Sequence, residues 1–216
     1  MHLADIPYYF VIIWIKLLIF FKKIFTANNI AIVFATIFIL LTGNFSLFSR
    51  FVEIYPIADG NLLFLISLGI FFALTSIMLM IAICHGVMTR WFVALILVLS
   101  AQAGFFMDTY GVIIDDVMIA NIFQSDSKEI SALLSLGFIL RTILLGIIPA
   151  ILAIKFWPKA KEVSVELKSK LFIFILSLGM LIPIILPFSA DYFDFVREHK
   201  IVRFYANPTY FIYSSS

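Results

Sequence analysis

Charge is what this sequence has least of. Asp, Glu, Lys and Arg make up 13% of its 216 residues, against roughly 25% in a soluble domain. Hydrophobic residues reach 63%, and mean hydropathy is +1.13. A soluble globular domain is thereby excluded, and an integral membrane protein is what remains. The balance of 15 Lys+Arg against 13 Asp+Glu leaves +2, too little to mark a nucleic-acid partner. Cys84 is the single cysteine, so no disulfide can form within the chain. His2, His85 and His199 lie too far apart in sequence to form a local metal motif.

What is present is a series of long uncharged runs. A spanning helix needs about 20 apolar residues, because each residue rises ~1.5 Å through a core ~30 Å thick. In lipid the backbone must satisfy its own hydrogen bonds, which makes runs of this length helical. Five runs qualify: Ile30–Phe48, Leu62–Cys84, Trp91–Met107, Ser135–Phe156 (interrupted by Arg141, with Lys155 at its end) and Leu171–Phe188. The predicted fold class is all-α integral membrane, with five transmembrane helices. Residues 6–21 are ambiguous, with Lys16 in the middle and Lys22 and Lys23 at the end. They lack the basic start and the cleavage site of a signal peptide. An N-terminal interfacial helix with lysines reaching headgroups is the preferred reading, and a sixth span is the alternative.

The basic links set the orientation. Lys22 and Lys23, then Arg90, then Lys155, Lys159, Lys161, Lys168 and Lys170 fall on one face if the spans alternate. That face is expected to be cytoplasmic, with the N-terminus. The longest loop on the other face carries Asp108, Asp115, Asp116, Asp126 and Glu129 against Lys128 alone, and is expected to be external together with the C-terminus. Pro149, Pro183 and Pro187 lie within or at the ends of spans four and five, where proline bends a helix. No internal repeat is visible, which weighs against a transporter built from inverted repeats.

Loops as long as 108–134 usually carry structure or function. Asp115–Leu134 reads as an interfacial helix with Val117, Met118, Ile122, Ile130, Leu133 and Leu134 on an apolar side. Asn121, Ser125 and Glu129 recur every four residues, so each step advances ~40° and rises ~6 Å along one stripe. An amide, a hydroxyl and a carboxylate in a row suit a zwitterionic headgroup, with Glu129 facing the ammonium and the other two facing phosphate or glycerol oxygens. A merely solvated face of an amphipathic helix has the same spacing.

Three blocks of residues add a resemblance. Tyr55-Pro56-Ile57-Ala58-Asp59 is the first. The second is Asp108-Thr109-Tyr110-Gly111 followed by Asp115, Met118, Asn121, Gln124, Ser125-Asp126 and Glu129. The third is Pro183, Leu186-Pro187, Phe188-Ser189, Tyr192, Phe195, Arg197-Glu198-His199-Lys200, Arg203, Asn207-Pro208, Tyr210 and Ile212-Tyr213-Ser214. In this order and spacing, from about residue 29 onward, the chain resembles the membrane domain of bacterial lipid A phosphoethanolamine transferases of the EptA and mobile-colistin-resistance type.

The resemblance implies a five-helix anchor in the bacterial inner membrane, followed by a periplasmic catalytic domain. That domain would use a threonine nucleophile and zinc to move phosphoethanolamine from phosphatidylethanolamine to lipid A, the change that confers polymyxin resistance. The family's Asn-x-x-x-Thr-x-x-x-Glu stripe maps onto Asn121, Ser125 and Glu129 as substrate-binding residues, with serine where threonine is usual. The implied organisation is an N-terminal segment 1–28, a transmembrane domain 29–189 containing a loop helix 109–134, and a juxtamembrane helix with linker 190–216. The chain stops at Ser214-Ser215-Ser216, where the family's linker would continue. The expectation is therefore no catalytic residue and no metal site in this portion, no activity from it alone, and zinc in the downstream domain.

Arg141 lies about a turn into span four, where an unpaired charge costs at least ~2.5–3.5 kcal/mol. It is expected either to snorkel outward or to contact a lipid phosphate. Asp108, like Asp115 and Asp116, is expected to be an ordinary external-loop acid or a cap at the N-terminus of the loop helix. Cys84 and His85 are adjacent and so point apart on a helix, which argues against a metal pair. Asp191–Tyr205 reads as an interfacial helix, serving either to hold a following domain near the bilayer or as a simple exit. Two other classes remain open: a small polytopic channel or transporter, disfavoured by the scarcity of intramembrane charge, and an inert structural anchor.

Overall fold

A computed structural model describes residues 25–111 and 135–199. The described residues form helices α1 Ala27–Gly43, α2 Phe45–Ile54, α3 Leu62–Ile83, α4 Thr89–Tyr110, α5 Leu136–Phe156, α6 Val163–Ile185 and α7 Ser189–Glu198. Four helical runs are long and apolar enough to cross a bilayer, and the bent pair α1–α2 makes a fifth. Five spans therefore match the sequence reading. The α4 run lies at the centre, 56% buried over its span window, against 17% for α5 and for α6. Small residues let neighbours approach α4 closely, as in other membrane bundles. A Cβ on Gly104 would stand 3.1 Å from the Gly43 Cα of α1, and one on Gly146 of α5 would stand 3.2 Å from the Val98 Cα.

Three helices differ from the simple spans the sequence suggests, each for a local reason. The first span is broken: α1 and α2 meet at 63° across Asn44, whose φ −129, ψ 29 lies outside helical values. The buried Asn44 side chain donates back to the Ile39 carbonyl at 3.3 Å, so the amide serves the broken end of α1. The third span, α4, outruns its hydrophobic stretch to Tyr110 and is capped by Gly111, in the left-handed region at φ +66. Thr109 and Tyr110, assigned above to the loop helix, are the last turn of α4; residues 112–134 lie outside the described residues.

α6 begins at Val163, so Lys168 and Lys170 belong to a helix and not to the link. It runs through Pro183 and a tight turn at Leu186–Phe188 into α7, a rod of 36 residues, or about 54 Å. That exceeds the hydrocarbon thickness, so α7 extends past it at the same end as the 112–134 loop. α7 is docked rather than trailing. Its Tyr192 and Phe195 are buried with Leu47 and Phe51 of α2 and Phe64 and Leu68 of α3. The Tyr192 hydroxyl donates to Ser67 Oγ at 3.2 Å.

Candidate functional site

The site is built where α1 stops. A helix end inside a bundle leaves orphan carbonyls, and the next helix start leaves orphan N–H groups. Asp108 and Arg141 serve both. From the last turn of α4, Asp108 Oδ1 accepts from the Ser46 backbone N–H at 2.9 Å and from the Ser46 hydroxyl, capping the start of α2. A carboxylate there also suits the positive end of the helix dipole. From the first turns of α5, Arg141 Nη2 donates to the Thr42 carbonyl of α1 at 3.0 Å and to Asp108 Oδ2 at 2.6 Å. The pair is 18% and 12% exposed at the side chain, well out of water.

Two sequence expectations change as a result. Asp108 is not an ordinary loop acid but a helix residue joining α2, α4 and α5. Arg141 does not snorkel outward, because its Nη2 is held by one carbonyl and one carboxylate inside the bundle. Gly104 makes room for it: a Cβ there would stand 2.8 Å from Arg141 Nη2. α5 widens into a π turn over Thr142–Ile147 directly after Arg141. Pro149 follows shortly and lacks the N–H that would continue the regular ladder.

This lock lies at the end of α4 where the chain leaves for residues 112–134. α4 delivers the chain to Gly111 three residues after Asp108. Ser135 receives it at the start of α5, its hydroxyl accepting from Phe138 N at 3.2 Å. A shallow cavity of about 170 Å³ opens at this end between Phe45, Ser46, Ser49, Arg50, Glu53 and Asp108. Its wall offers hydroxyls and both signs of charge; Arg50 and Glu53 are 2.9 Å apart and half exposed. Tyr55, at the end of α2, faces His199 with ring centroids 6.0 Å apart. Burial, and then the carboxylates of Asp191, Asp194 and Glu198, push its phenol above the ordinary tyrosine value. Asn121, Ser125 and Glu129 fall in the loop outside the described residues.

Among the described residues no three His, Cys, Asp or Glu side chains gather as a metal site. Cys84 is buried, and its carbonyl accepts from Lys170 Nζ. The neighbouring His85 ring lies on the surface, with Nδ1 3.0 Å from the Ile83 carbonyl. The residues described do not fit a zinc centre.

Sequence reasoning missed a second polar cluster at the opposite end. Glu166, 7% exposed, takes the Thr26 hydroxyl at 2.8 Å, Asn28 Nδ2 at 3.3 Å and the Lys161 N–H at 2.9 Å. Trp157 Nε1 donates to Asn28 Oδ1 at 2.7 Å. These contacts tie α1, α6 and the 157–162 link together. The one signal was Glu166 among lysines at the head of a span, where a lone acid needs a structural reason.

Fold and site together define a multi-pass helical membrane protein with an ion pair joining two of its helices at one membrane end. The family model described as phosphoethanolamine transferase EptA/EptB matches residues 70–216, and the chain belongs to that family. It is 32% identical over 178 residues to phosphatidylethanolamine transferase Mcr-2 of Escherichia coli, covering 82% of this chain and 33% of that protein. It is equally 32% identical over 181 residues to Mcr-1 of the same organism, again over 82% and 33%. The solved integral membrane lipooligosaccharide phosphoethanolamine transferase A of Neisseria meningitidis shares its fold. The TM-score is 0.79 at 24% identity, over 85% of this chain and 34% of that one. The chain thus spans about a third of the length of these relatives and is a membrane domain of the family.

Proposed function

We propose that this domain holds a phosphoethanolamine transferase in the bacterial inner membrane and presents phosphatidylethanolamine to a periplasmic catalytic domain of the whole protein. That domain, with zinc, passes phosphoethanolamine to lipid A. The loop end faces the periplasm and the lysine-bearing links face the cytoplasm, as the basic bias requires. Asn121, Ser125 and Glu129 receive the headgroup, Glu129 taking the ammonium and the other two the phosphate or glycerol oxygens. A lipid phosphate that reached Arg141 would share its guanidinium with Asp108.

The observation that carries this reading is the platform. An interfacial loop could not hold a headgroup in register if both its ends were free. Here the helix entering it and the helix leaving it are joined by the Arg141–Asp108 ion pair at 2.6 Å. The test is made in the full-length enzyme, reading lipid A modification by mass spectrometry at matched protein levels. Glu129→Gln and Asn121→Ala are expected to lower transfer about tenfold or more, the loss of one charge-assisted hydrogen bond. Unchanged transfer in both variants would remove the stripe from the mechanism.

A further inference from the structure

The geometry points to an anion-binding cavity at the membrane end opposite the acidic loop, shaped for the phosphate of an anionic glycerophospholipid. The cavity measures about 220 Å³ and is lined by Asn28, Gly86, Arg90, Trp157, Lys159 and their neighbours. Its lining holds two cations, Arg90 and Lys159, and no acid. Glu166 lies outside that lining, where its oxygens accept from Thr26, Asn28 and the Lys161 amide.

Three features make this a built site rather than a basic surface. The guanidinium of Arg90 lies over the Trp91 ring at 5.5 Å, and its buried Nε has no hydrogen-bond partner. The opposite wall is fixed, because Trp157 is pinned to Asn28 at 2.7 Å and Asn28 to Glu166. The continuous helical run from Gly86 to Tyr110 starts at the cavity, with Gly86 and Val87 in its lining. Its leading N–H groups and dipole therefore add positive potential to that of the two side chains. An indole beside paired cations is the chemistry of a membrane interface. A second cavity of about 260 Å³ adjoins across Gly86 and Ala160, its wall combining Val163 and Leu167 with Lys161, Glu166 and Lys170. The chemistry recognised is a phosphate mono- or diester anion, and membrane placement selects the lipid as its source. The inference depends on the proposed orientation only for the leaflet, which is the cytoplasmic one.

The experiment measures retention of phosphatidylglycerol on the full-length protein by native mass spectrometry, with phosphatidylcholine and inorganic phosphate as the other arms. Wild type is expected to keep phosphatidylglycerol over phosphatidylcholine. Arg90→Gln with Lys159→Gln is expected to lose affinity by roughly fivefold per cation. A control, Lys155→Gln with Lys168→Gln, removes two exposed charges from the same end and is expected to leave retention unchanged. If the Arg90 change prevents folding, Lys159→Gln alone reads the same effect, since its side chain is exposed. Equal losses in the two double variants would mean diffuse attraction and would overturn the site. Displacement of the lipid by millimolar inorganic phosphate would overturn the lipid as occupant. Loss of the selectivity with Glu129 transfer effects intact would separate this failure from failure of the donor-lipid reading.

Discussion

Replacing Arg141 by methionine keeps the length and apolar stem of the side chain and removes its charge. Two accounts of Arg141 give opposite signs. For an arginine that merely snorkels, removal relieves an insertion cost of about 2.5–3.5 kcal/mol, and the protein is stabilised or unaffected. In the structure, removal strands the Asp108 carboxylate, 12% exposed, and the Thr42 carbonyl at the end of α1. Breaking one partner of a buried pair costs about 3–5 kcal/mol, against at most ~1 kcal/mol for a surface pair. The pair is not wholly enclosed, so about 3 kcal/mol is expected. Asp108→Asn should cost less, because an amide oxygen still accepts from the Ser46 N–H. The double variant should cost less than the sum, with a coupling energy of about 0.5–3 kcal/mol. The assay is denaturant unfolding of detergent-purified protein, followed by tryptophan fluorescence. Arg141→Met at wild-type stability or above, or strict additivity in the cycle, would refute the lock.

Two further outcomes follow from close approaches elsewhere in the bundle. Gly104→Val should cost about 1–3 kcal/mol by overpacking, since its Cβ would meet Arg141 Nη2 at 2.8 Å and the Gly43 backbone at 3.1 Å; unfolding midpoints test this, and a neutral result would mean α1 and α4 do not touch there. Tyr192→Phe should cost only about 1 kcal/mol for the hydrogen bond to Ser67, whereas Phe195→Ala should cost about 3–5 kcal/mol and expose α7 to limited proteolysis; equal costs would show that α7 is not held by its aromatic face.

The span count was legible because length and hydropathy decide it, and burial in lipid leaves a helix no alternative. The break at Asn44 was not, since nothing in Leu41-Thr42-Gly43-Asn44-Phe45 lowers hydropathy enough to end a span. The break depends on partners 62 residues away from Ser46 and 99 away from Thr42. Asp108 was read as a loop acid because apolar residues give out at Met107, yet the helix continues to Tyr110. Its charge is tolerated there because Arg141 meets it. Two opposite charges, each within about a turn of the same membrane end, were the available signal for that pairing. The Glu166 cluster was hidden in the same way: its partners come from α1 and from the 157–162 link, far apart in sequence.

A membrane helix that stops short of the interface creates a problem that hydrophobic packing cannot solve, because lipid offers no partner for the exposed backbone. At the α1–α2 break the chain meets the released carbonyl with a cation and the released N–H with an anion. Their mutual attraction then fastens α4 to α5. These are the helices that deliver and receive the acidic loop. The bend therefore does more than tilt α2: it makes the stability of the first span depend on the pair that fixes the loop's two ends. Distorting this platform uncovers buried backbone groups at a cost of about 1–3 kcal/mol each. Rigidity at this end follows from the break itself.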